Sequence, residues 1–592
     1  MSEKNGEMMS DFIFSTSNLE KSNPIRAIQS IYSEEKPNIQ EFYGEWGSLI
    51  VSENMYDGFH PFVNEQYIMI VIGGPLLMFR DNNFIRNKGS FEGTKAIFDR
   101  WKENKIAWDS DLNGPYSVLI IDKKKHEYTC ITDLMSFIPI YCFKGTQNKC
   151  LASHIDMLAK VSNQTKYKDE VSIIDFLLHG VVTYPYTFYK DIFQLQPATV
   201  HSISKSKSNL MSNSYWIPKE FNKYKSIAEA AKQLKEELEN YIEKITDETE
   251  NVAQFISGGE DSRTLSSLLK NLERDAYIYL DSMNREGKIA RKIASKYMAN
   301  FHVSTRNKFH YLNILPSCSD LVGSGSEYRH AHTYGFHKEL KSYDAVFGGL
   351  LADALLKGSH IAKKRISKRL PFLPDKKDIN FSINKSLTGN IFPARLLKEL
   401  ASRRERHLEY ISEFREKSVD EWFELWPSSM NRNIPNIHAN RRLFKSYEPF
   451  LSNQIVKISA SIDQSWKLNR RLFHKTVKPL LKPTKWLLHS DGWLPSLSWH
   501  SNVFVHFTTW FYRQIGKRTG FIKGNQGPWA EWKTLTASKR WENTVNFYIR
   551  NSEGISKELL GSIEKALDND MLTTFQYVAL TQSLYHLQMR TS

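Results

Sequence analysis

The sequence predicts an α/β protein with two domains, in which a strand-rich half precedes a region of alternating strands and helices. The chain has 592 residues, and a domain usually holds about 100–200 residues. Strand-like segments dominate up to about residue 220, and helical periodicity dominates after it. We therefore predict one domain over residues 1–220 and a second over residues 221–592.

Strands are predicted in the first half because short runs rich in Val, Ile, Tyr and Phe are separated by turn residues. Six runs have this pattern: residues 12–14, 47–52, 67–72, 116–122, 128–132 and 138–143. A succession of short strands without intervening helices favours a mostly antiparallel sheet. We expect an α+β domain built on such a sheet layer.

The second half opens with a helix signal. Ser226 and Glu229 have the spacing of a capping box, and helical periodicity continues to about residue 244. Strand-like and helix-like runs then alternate at residues 252–256, 262–272, 276–280, 286–298, 301–304 and 345–347. Alternation of this kind predicts a parallel sheet with right-handed crossovers. From about residue 390 the sequence is helical in pattern and rich in tryptophan.

Composition excludes several classes of protein. No run of about 18 apolar residues occurs, and the polar, acidic opening differs from a secretory signal, so we expect a soluble cytoplasmic protein. The four cysteines form no CxxC pair, which argues against disulfides, structural zinc and a redox dithiol. A net charge of +15 suits anionic partners in general. No RNA-binding module is recognisable, and we expect no nucleic-acid partner.

The loop over residues 257–262 lies between a predicted strand and a predicted helix, where parallel sheets bind anions. It consists of Ser257, Gly258, Gly259, Glu260, Asp261 and Ser262. The glycines let the backbone approach phosphate oxygens, and the serines offer hydroxyl donors. A lone glycine pair could be a plain turn, with Asp261 as a helix N-terminal charge. The complete string SGGxDS in this context favours binding of the pyrophosphate of ATP.

Two carboxylates make this a predicted magnesium site. Asp261 beside polyphosphate requires a cation between the two. Gly348 and Gly349 follow the apolar run 345–347, and Asp353 comes four residues after Gly349, which again sets a carboxylate near the end of a strand. We expect Asp261 and Asp353 to hold Mg²⁺. A surface aspartate remains the alternative for Asp353.

These strings, in this order, resemble the asparagine synthetase family and its relatives that make β-lactams or lasso peptides. Residues 132–141, residues 186–197 with Tyr215-Trp216, and the motif Glu448-Pro449-Phe450-Leu451 are similar to further segments of that family. The resemblance implies an Ntn-hydrolase-like, glutamine-amidotransferase-like domain followed by an adenine-nucleotide α-hydrolase-like domain.

The resemblance also implies a reaction. The second domain would transfer AMP from ATP to a carboxylate of a small molecule or peptide, releasing pyrophosphate, and ammonia or an amine would attack the acyl-adenylate. Phe255, Gly348 and Gly349 would line the nucleotide, and Arg470 stands where the family has a lysine that stabilises the adenylate. Asp261, Asp353 and Arg470 are thus the implied catalytic residues. A homodimer or a complex with a pathway partner is left open.

Two further departures from the family pattern affect the expected activity. The family's glutaminase uses an amino-terminal cysteine at the start of the first strand, whereas this chain has Ser2 and a strand that begins near Asp11. We therefore predict no glutamine hydrolysis. Leu350 replaces a glutamate or tyrosine that helps recognise or deprotonate the substrate.

Three functions follow from these observations. An amide-forming ligase agrees best with the intact SGGxDS string, and a specialised metabolite or peptide substrate agrees better with Leu350 than ordinary asparagine synthesis does. A degenerate synthetase that serves as a nucleotide-binding or scaffold protein is the alternative. A tRNA-modifying enzyme is disfavoured because it would need a cysteine pair or an RNA-binding module.

Overall fold

The computed structural model describes residues 10–33, 35, 37–145, 149–205, 207–364, 369–379, 382–387 and 391–588. Ser2 and its neighbours lie outside these residues. Among the described helices, none combines the length and the apolar composition needed to cross a bilayer.

The amino-terminal half contains two six-stranded sheets in which all neighbouring strands are antiparallel. The first sheet has the order Ile192–Gln194, Tyr141–Lys144, Lys149–Ala152, Phe12–Ser15, Gly47–Ser52, Ile39–Gly44. The second has the order Lys207–Ser214, Thr199–Ser204, Glu127–Thr132, Tyr116–Asp122, Tyr67–Gly73, Phe62–Val63. A small ribbon pairs Leu76–Leu77 with Leu112–Asn113. The predicted antiparallel sheet is thus confirmed, although it is two sheets rather than one layer.

The two sheets pack face to face because apolar side chains alternate along their strands. Phe12 and Phe14 enter the core between the sheets, whereas Ile13 between them packs under helices on the outer face. Both outer faces carry helices, namely Ser22–Gln29, Ile155–Val161 and Glu170–His179 on the first sheet and Glu92–Lys102 on the second. This gives a four-layer α+β domain.

One predicted strand is shifted. The structure begins it at Tyr141 rather than at residue 138. Pro139 has no N–H for a ladder, and the N–H of Ile138 donates to the buried carboxylate of Asp133 at 3.2 Å. Because both residues are thereby withdrawn from pairing, the segment before Tyr141 forms a turn around Asp133.

The second half contains a parallel sheet, as predicted. Its five strands have the order Asn300–Thr305, Arg274–Leu280, Val252–Phe255, Ala345–Phe347, Ser446–Tyr447, and every neighbouring pair is parallel. The strand Val252–Phe255 comes first in this half of the chain yet lies in the middle of the sheet. Strand order therefore reverses between it and Ala345–Phe347, and such a switch point opens a crevice at the carboxyl ends of the strands.

Helices surround this sheet and are the main regular structure in the rest of the second half. Those that accompany the sheet are Ile227–Thr246, Glu260–Leu268, Arg285–Lys296, His310–Val322 and Ala352–Leu356. The predicted helical carboxyl-terminal part is confirmed and consists of Ala394–Ser412, Val419–Phe423, Pro435–Leu443, Asn453–Ala460, Gln464–Lys467, Arg471–Val477, Trp499–Arg518, Trp532–Thr536, Lys539–Arg550, Lys557–Asp568 and Thr574–His586.

The capping of the first of these helices is only half as predicted. The Ser226 hydroxyl accepts the N–H of Glu229 at 3.2 Å. The Glu229 carboxylate, however, accepts the N–H of Lys225 at 2.9 Å rather than that of Ser226. The helix still begins where the sequence predicts, because the N-cap serine alone satisfies one of the free amides of the first turn.

The two halves share buried polar contacts. The indole N–H of Trp426 donates to the carbonyl of Leu134 at 2.8 Å, and the N–H of Ser428 donates to that of Met135 at 2.7 Å. The proposed domain boundary at residue 220 falls between the last strand of the second antiparallel sheet and the helix that starts at Ile227. The contacts anchor the helical part against the turn that follows Asp133.

Candidate active site

The loop over residues 257–262 lies at the switch point of the parallel sheet. It leaves the strand Val252–Phe255 and enters the helix Glu260–Leu268, whose N-cap is Gly259. The helix begins two residues earlier than the sequence pattern predicts, so Glu260 and Asp261 occupy its first turn. The first N–H groups of a helix have no partner within it and attract anions.

Hydrogen bonds between its own residues hold the loop in this structure. The Ser257 N–H donates to the Ser262 hydroxyl at 3.1 Å, and the Gly259 N–H donates to the Ser257 hydroxyl at 3.1 Å. The Gly258 N–H donates to the Glu286 carboxylate at 2.6 Å. Phosphate oxygens would therefore find free N–H donors in the first turn of the helix. The Gly258 N–H would have to release the Glu286 carboxylate before it could bind phosphate.

The carboxylates of Asp261 and Asp353 both contact one cation, the ammonium group of Lys357. The ammonium Nζ of Lys357 lies 2.5 Å from Oδ1 of Asp261 and 2.7 Å from Oδ1 of Asp353. Burial raises the pKa of Asp261 to about 7 against the opposing effect of Lys357. For Asp353, which is more exposed, Lys357 lowers the pKa. Sequence analysis missed Lys357, although its spacing of four residues from Asp353 on a helix was visible.

The two carboxylates fit a magnesium site. Both reach a single cation position, and carboxylate oxygens are the ligands that Mg²⁺ prefers together with phosphate oxygens. Within the described ranges no group of three or more His, Cys, Asp or Glu side chains could hold a metal. Asp261 and Asp353 would thus hold the ion only with the help of a bound phosphate.

Arg470 is paired with Glu260 of the loop. Its guanidinium contacts the Glu260 carboxylate in a buried ion pair and lies over the rings of Trp493 and Trp499, 4.8 and 5.4 Å from their centroids. Its Nε and Nη2 groups have no protein partner in the described chain. Arg470 also has a left-handed backbone with φ of 59°, a strained conformation typical of functional sites. Glu260 therefore holds Arg470 in place beside the loop.

A cavity of about 330 Å³ opens beside the loop. Five of the predicted site residues line it, namely Phe255, Ser257, Gly348, Gly349 and Asp353. Asp261 lies directly behind Gly349, where an added Cβ would be 3.1 Å from the Asp261 Cβ. Gly258, Gly259, Glu260 and Ser262 are not part of the wall and belong to the loop at its edge. Cavities of this size hold small molecules and cofactors.

The far wall of the cavity was not found from the sequence. It includes Arg306, His330, His332, Asn433, Asn436 and Trp529. The segment that carries Trp529 is fixed to the sheet, since Arg306 donates to the carbonyl of Pro528 at 2.6 Å and Asn284 donates to that of Gly527 at 2.9 Å. Burial holds the pKa of His332 well below its usual value. These residues are scattered along the chain, so no local pattern marks them.

Glu448 is the second acidic group of the cavity wall besides Asp353. Its carboxylate accepts the N–H of Leu350 at 2.9 Å and the hydroxyl of Ser446 at 3.4 Å. Burial raises the pKa of Glu448 to about 7. The sequence offered a signal, because Glu448 opens the Glu-Pro-Phe-Leu motif directly after a strand, but no role was assigned to it.

The start of the first antiparallel strand is filled by a buried ion cluster. The Asp11 carboxylate accepts from Arg442 at 2.7 and 2.9 Å, from Arg441 at 3.2 Å and from Ser153 at 2.7 Å. Burial alone would raise the pKa of Asp11, but the two guanidinium groups outweigh it and hold the pKa well below its usual range.

A parallel sheet with a glycine-containing loop at its switch point, followed by a helix and joined to an antiparallel sandwich, is an arrangement typical of nucleotide-binding proteins. Comparison with protein families agrees with this description. Residues 81–216 match the glutamine amidotransferase domain, and residues 233–490 match asparagine synthase. The chain thus contains an amidotransferase domain followed by an asparagine synthase domain, the arrangement of an asparagine synthetase-like family. Its second domain is that of an ATP-dependent amide ligase of the asparagine synthetase type.

Two solved structures show distant likeness to half of the chain. An allosteric regulatory enzyme of purine biosynthesis is 11% identical, with a TM-score of 0.25 over 50% of this chain and 80% of its own. The glutamine phosphoribosylpyrophosphate amidotransferase from B. subtilis is 9% identical, with a TM-score of 0.21 over 50% of this chain and 90% of its own. No curated protein matches the chain in sequence.

Proposed function

We propose that the protein adenylates a substrate carboxylate with ATP and transfers the acyl group to ammonia or an amine, releasing AMP and pyrophosphate. The observation that carries this proposal is the convergence of Asp261 and Asp353 on one cation position beside the phosphate loop and the cavity. A site that separates two phosphates of ATP needs positive charge between carboxylates and phosphate, and this arrangement supplies it.

The cavity has room and chemistry for the nucleotide and the acid. Phe255, Gly348 and Gly349 form the wall next to the loop, where the adenosine would lie, and the loop would hold the pyrophosphate. The acid would then occupy the space toward Arg306 and Trp529. Holding the carboxylate and the first phosphate together contributes to the rate by orientation alone.

Basic side chains would support the charge that develops. Arg470 has two free guanidinium donors beside the loop, and as an arginine it stays protonated, so it would bind the adenylate phosphate without transferring a proton. Lys357 would move from between Asp261 and Asp353 toward the phosphates. Mg²⁺ held by these two carboxylates would neutralise charge on the leaving pyrophosphate.

We also propose that the first domain hydrolyses no glutamine. The start of its first strand is occupied by Asp11, which is fully buried and held by Arg441 and Arg442. A nucleophile at that point would need a free terminus and access to a substrate. The ammonia or amine would then come from solution or from the substrate itself.

A second candidate is a degenerate synthetase that binds a nucleotide or serves as a scaffold. Glu286 on the Gly258 N–H favours it, because a carboxylate occupies a donor that phosphate would use. Leu350 in the cavity wall also favours it, since a leucine offers no acid or base. The intact carboxylate pair and Arg470 favour the ligase.

The two candidates differ in ATP chemistry. The purified chain would be incubated with ATP, magnesium chloride, ammonia and, one at a time, L-aspartate, L-glutamate, β-amino acids and acidic peptides. A ligase gives carboxylate-dependent exchange of labelled pyrophosphate into ATP and forms AMP, whereas a scaffold binds ATP without exchange. Replacing ammonia by glutamine should give no amide and no glutamate; glutamate release would contradict the inactive first domain.

A further inference from the structure

Glu448 reaches the cavity because two parallel strands end side by side. Strand Ser446–Tyr447 pairs with strand Ala345–Phe347, with Tyr447 opposite Phe347. The residues that follow, Glu448 and Gly348, therefore emerge next to each other at the carboxyl ends of the sheet. Only 2% of Glu448 is exposed to solvent, and the carboxylate belongs to the cavity wall.

The carboxylate lies in space that a side chain at position 348 would fill. A Cβ added to Gly348 would be 2.1 and 2.5 Å from the two carboxylate oxygens of Glu448. One oxygen, Oε2, accepts the N–H of Leu350 at 2.9 Å. The other, Oε1, has only the long contact to the Ser446 hydroxyl at 3.4 Å. The group is held firmly on one side and has an oxygen left to accept a further proton.

Two other buried carboxylates of the molecule are neutralised by a cation. Asp11 has Arg441 and Arg442, and Glu421 has Lys467 at 2.8 Å. In the described part of the chain, no lysine, arginine or histidine forms an ion pair with Glu448. A buried carboxylate without a cation binds a proton more tightly than one in water. Glu448 is thus suited to take a proton near neutral pH, which is the requirement for a general base.

We propose that Glu448 is the base that accepts the proton of the attacking amine, a role that rests on the proposed ligase function. The amine nitrogen forms a bond to the carbonyl carbon of the acyl-adenylate. One proton passes from that nitrogen to the Glu448 carboxylate. The bond between the carbonyl carbon and the phosphate oxygen breaks, and its electron pair leaves with AMP. Atoms and charge balance without any further reactant.

The remaining polar groups of the site are less suited to this step. Asp261 and Asp353 share Lys357. Arg470 is paired with Glu260. Among the cavity histidines, His330 uses its Nε2 on Glu327 at 3.0 Å, and its neighbour His332 lies against Trp529, with their ring centroids 4.4 Å apart. The residue of the loop that Glu448 contacts is Leu350, which is not a proposed metal ligand.

The test separates the two half-reactions of the ligase in the full chain. Glu448→Gln keeps the shape and an oxygen for the Leu350 N–H but cannot accept a proton. We expect carboxylate-dependent exchange of labelled pyrophosphate into ATP to stay within about threefold of the wild type. Amide formation from ammonia should fall by about 10²–10⁴-fold, the usual contribution of a general base. Hydroxylamine, a strong nucleophile of low basicity, should still trap the adenylate as a hydroxamate.

The pH profile gives a second measurement. With the pKa of Glu448 near 7, amide formation by the wild type, divided by the concentration of unprotonated ammonia at each pH, should rise to a plateau above about pH 7, and Glu448→Gln should lose this rise. The titratable neighbours Tyr56 and Tyr241 have pKa values raised above their usual value by burial, so neither titrates in this range. Glu448→Asp should keep the rise at a lower plateau.

Glu424→Gln is the matched control, because Glu424 forms a half-exposed pair with His360 outside the cavity wall. It should leave both half-reactions unchanged. Normal amide formation by Glu448→Gln would overturn the role of Glu448 and leave the ligase intact. Loss of pyrophosphate exchange in that variant, with an unchanged melting temperature, would overturn it as well, since Glu448 would then serve adenylation. Absence of exchange in the wild type would overturn the ligase itself and this role with it.

Discussion

Lys357 occupies the point at which the carboxylates of Asp261 and Asp353 meet, 2.5 and 2.7 Å from them. The ammonium group of Lys357 thus lies at the position where the proposed reaction needs a metal cation. Burial raises the pKa of Asp261 to about 7 although Lys357 opposes the shift. Binding of a divalent ion beside Asp261 would favour its ionised form against the effect of burial.

Asp261→Asn tests this residue. We expect pyrophosphate exchange to fall by at least about 100-fold, because an amide is a weak ligand for a divalent cation and cannot balance Lys357. The melting temperature should change little, since Lys357 keeps its ion pair with Asp353. The exposed Asp568→Asn is the control and should retain full exchange. Full activity of Asp261→Asn would contradict the metal role of Asp261.

Two short strands govern the site at the level of secondary structure. Ala345–Phe347 and Ser446–Tyr447 contain three and two residues, and both are buried. Their pairing fixes Gly348, Leu350 and Glu448 relative to one another. The carboxylate of Glu448 packs against Gly348. Position 348 therefore requires glycine because a side chain has no room, and not because of its backbone conformation.

Gly348→Ala tests this arrangement. The new methyl group would overlap the Glu448 carboxylate, so the carboxylate must leave the Leu350 N–H or the strands must shift. Overpacking of this kind costs about 1–3 kcal/mol of unfolding free energy, measured by urea denaturation, and amide formation should fall together with it. Gly561→Ala is the control, because nothing lies within 4 Å of its added Cβ on an outer helix. It should stabilise the protein by up to about 1 kcal/mol.

The whole molecule is tied together by the cluster around Asp11. This residue directly precedes the first antiparallel strand, Phe12–Ser15, whereas Arg441 and Arg442 belong to the helix Pro435–Leu443 of the second half. All three side chains are almost completely buried. The cluster thus couples the stability of the amino-terminal sandwich to the helices that follow the parallel sheet.

Asp11→Asn should be strongly destabilising. Removal of the charge leaves two buried guanidinium groups without their carboxylate, which costs about 3–5 kcal/mol. Because the folded pKa of Asp11 is lowered, the stabilisation is present above the unfolded pKa and is lost as pH falls below it. Urea denaturation at pH 7 measures the effect. Asp99→Asn, which breaks an exposed pair with Lys95, should cost at most about 0.5 kcal/mol; equal costs would contradict the proposed role of the cluster.

Part of this molecule follows from the order of residues along the chain alone. Short runs rich in Val, Ile, Tyr and Phe, bounded by turn residues, predict the strands Gly47–Ser52 and Tyr116–Asp122 to the residue. The loop over residues 257–262 is likewise recognisable, since a strand, two glycines, a carboxylate and a helix are adjacent in sequence and their chemistry is local. The strand predicted at residues 138–143 was displaced because Asp133 binds the backbone of Ile138.

The tertiary structure alone decided which distant groups meet. Glu448 and Leu350 are 98 residues apart, and Gly258 is 28 residues from Glu286, yet each pair shares a hydrogen bond. Such contacts depend on the order of strands in the sheet and on how helices cross it. No periodicity records this information, because periodicity reports only which face of its own element a residue occupies.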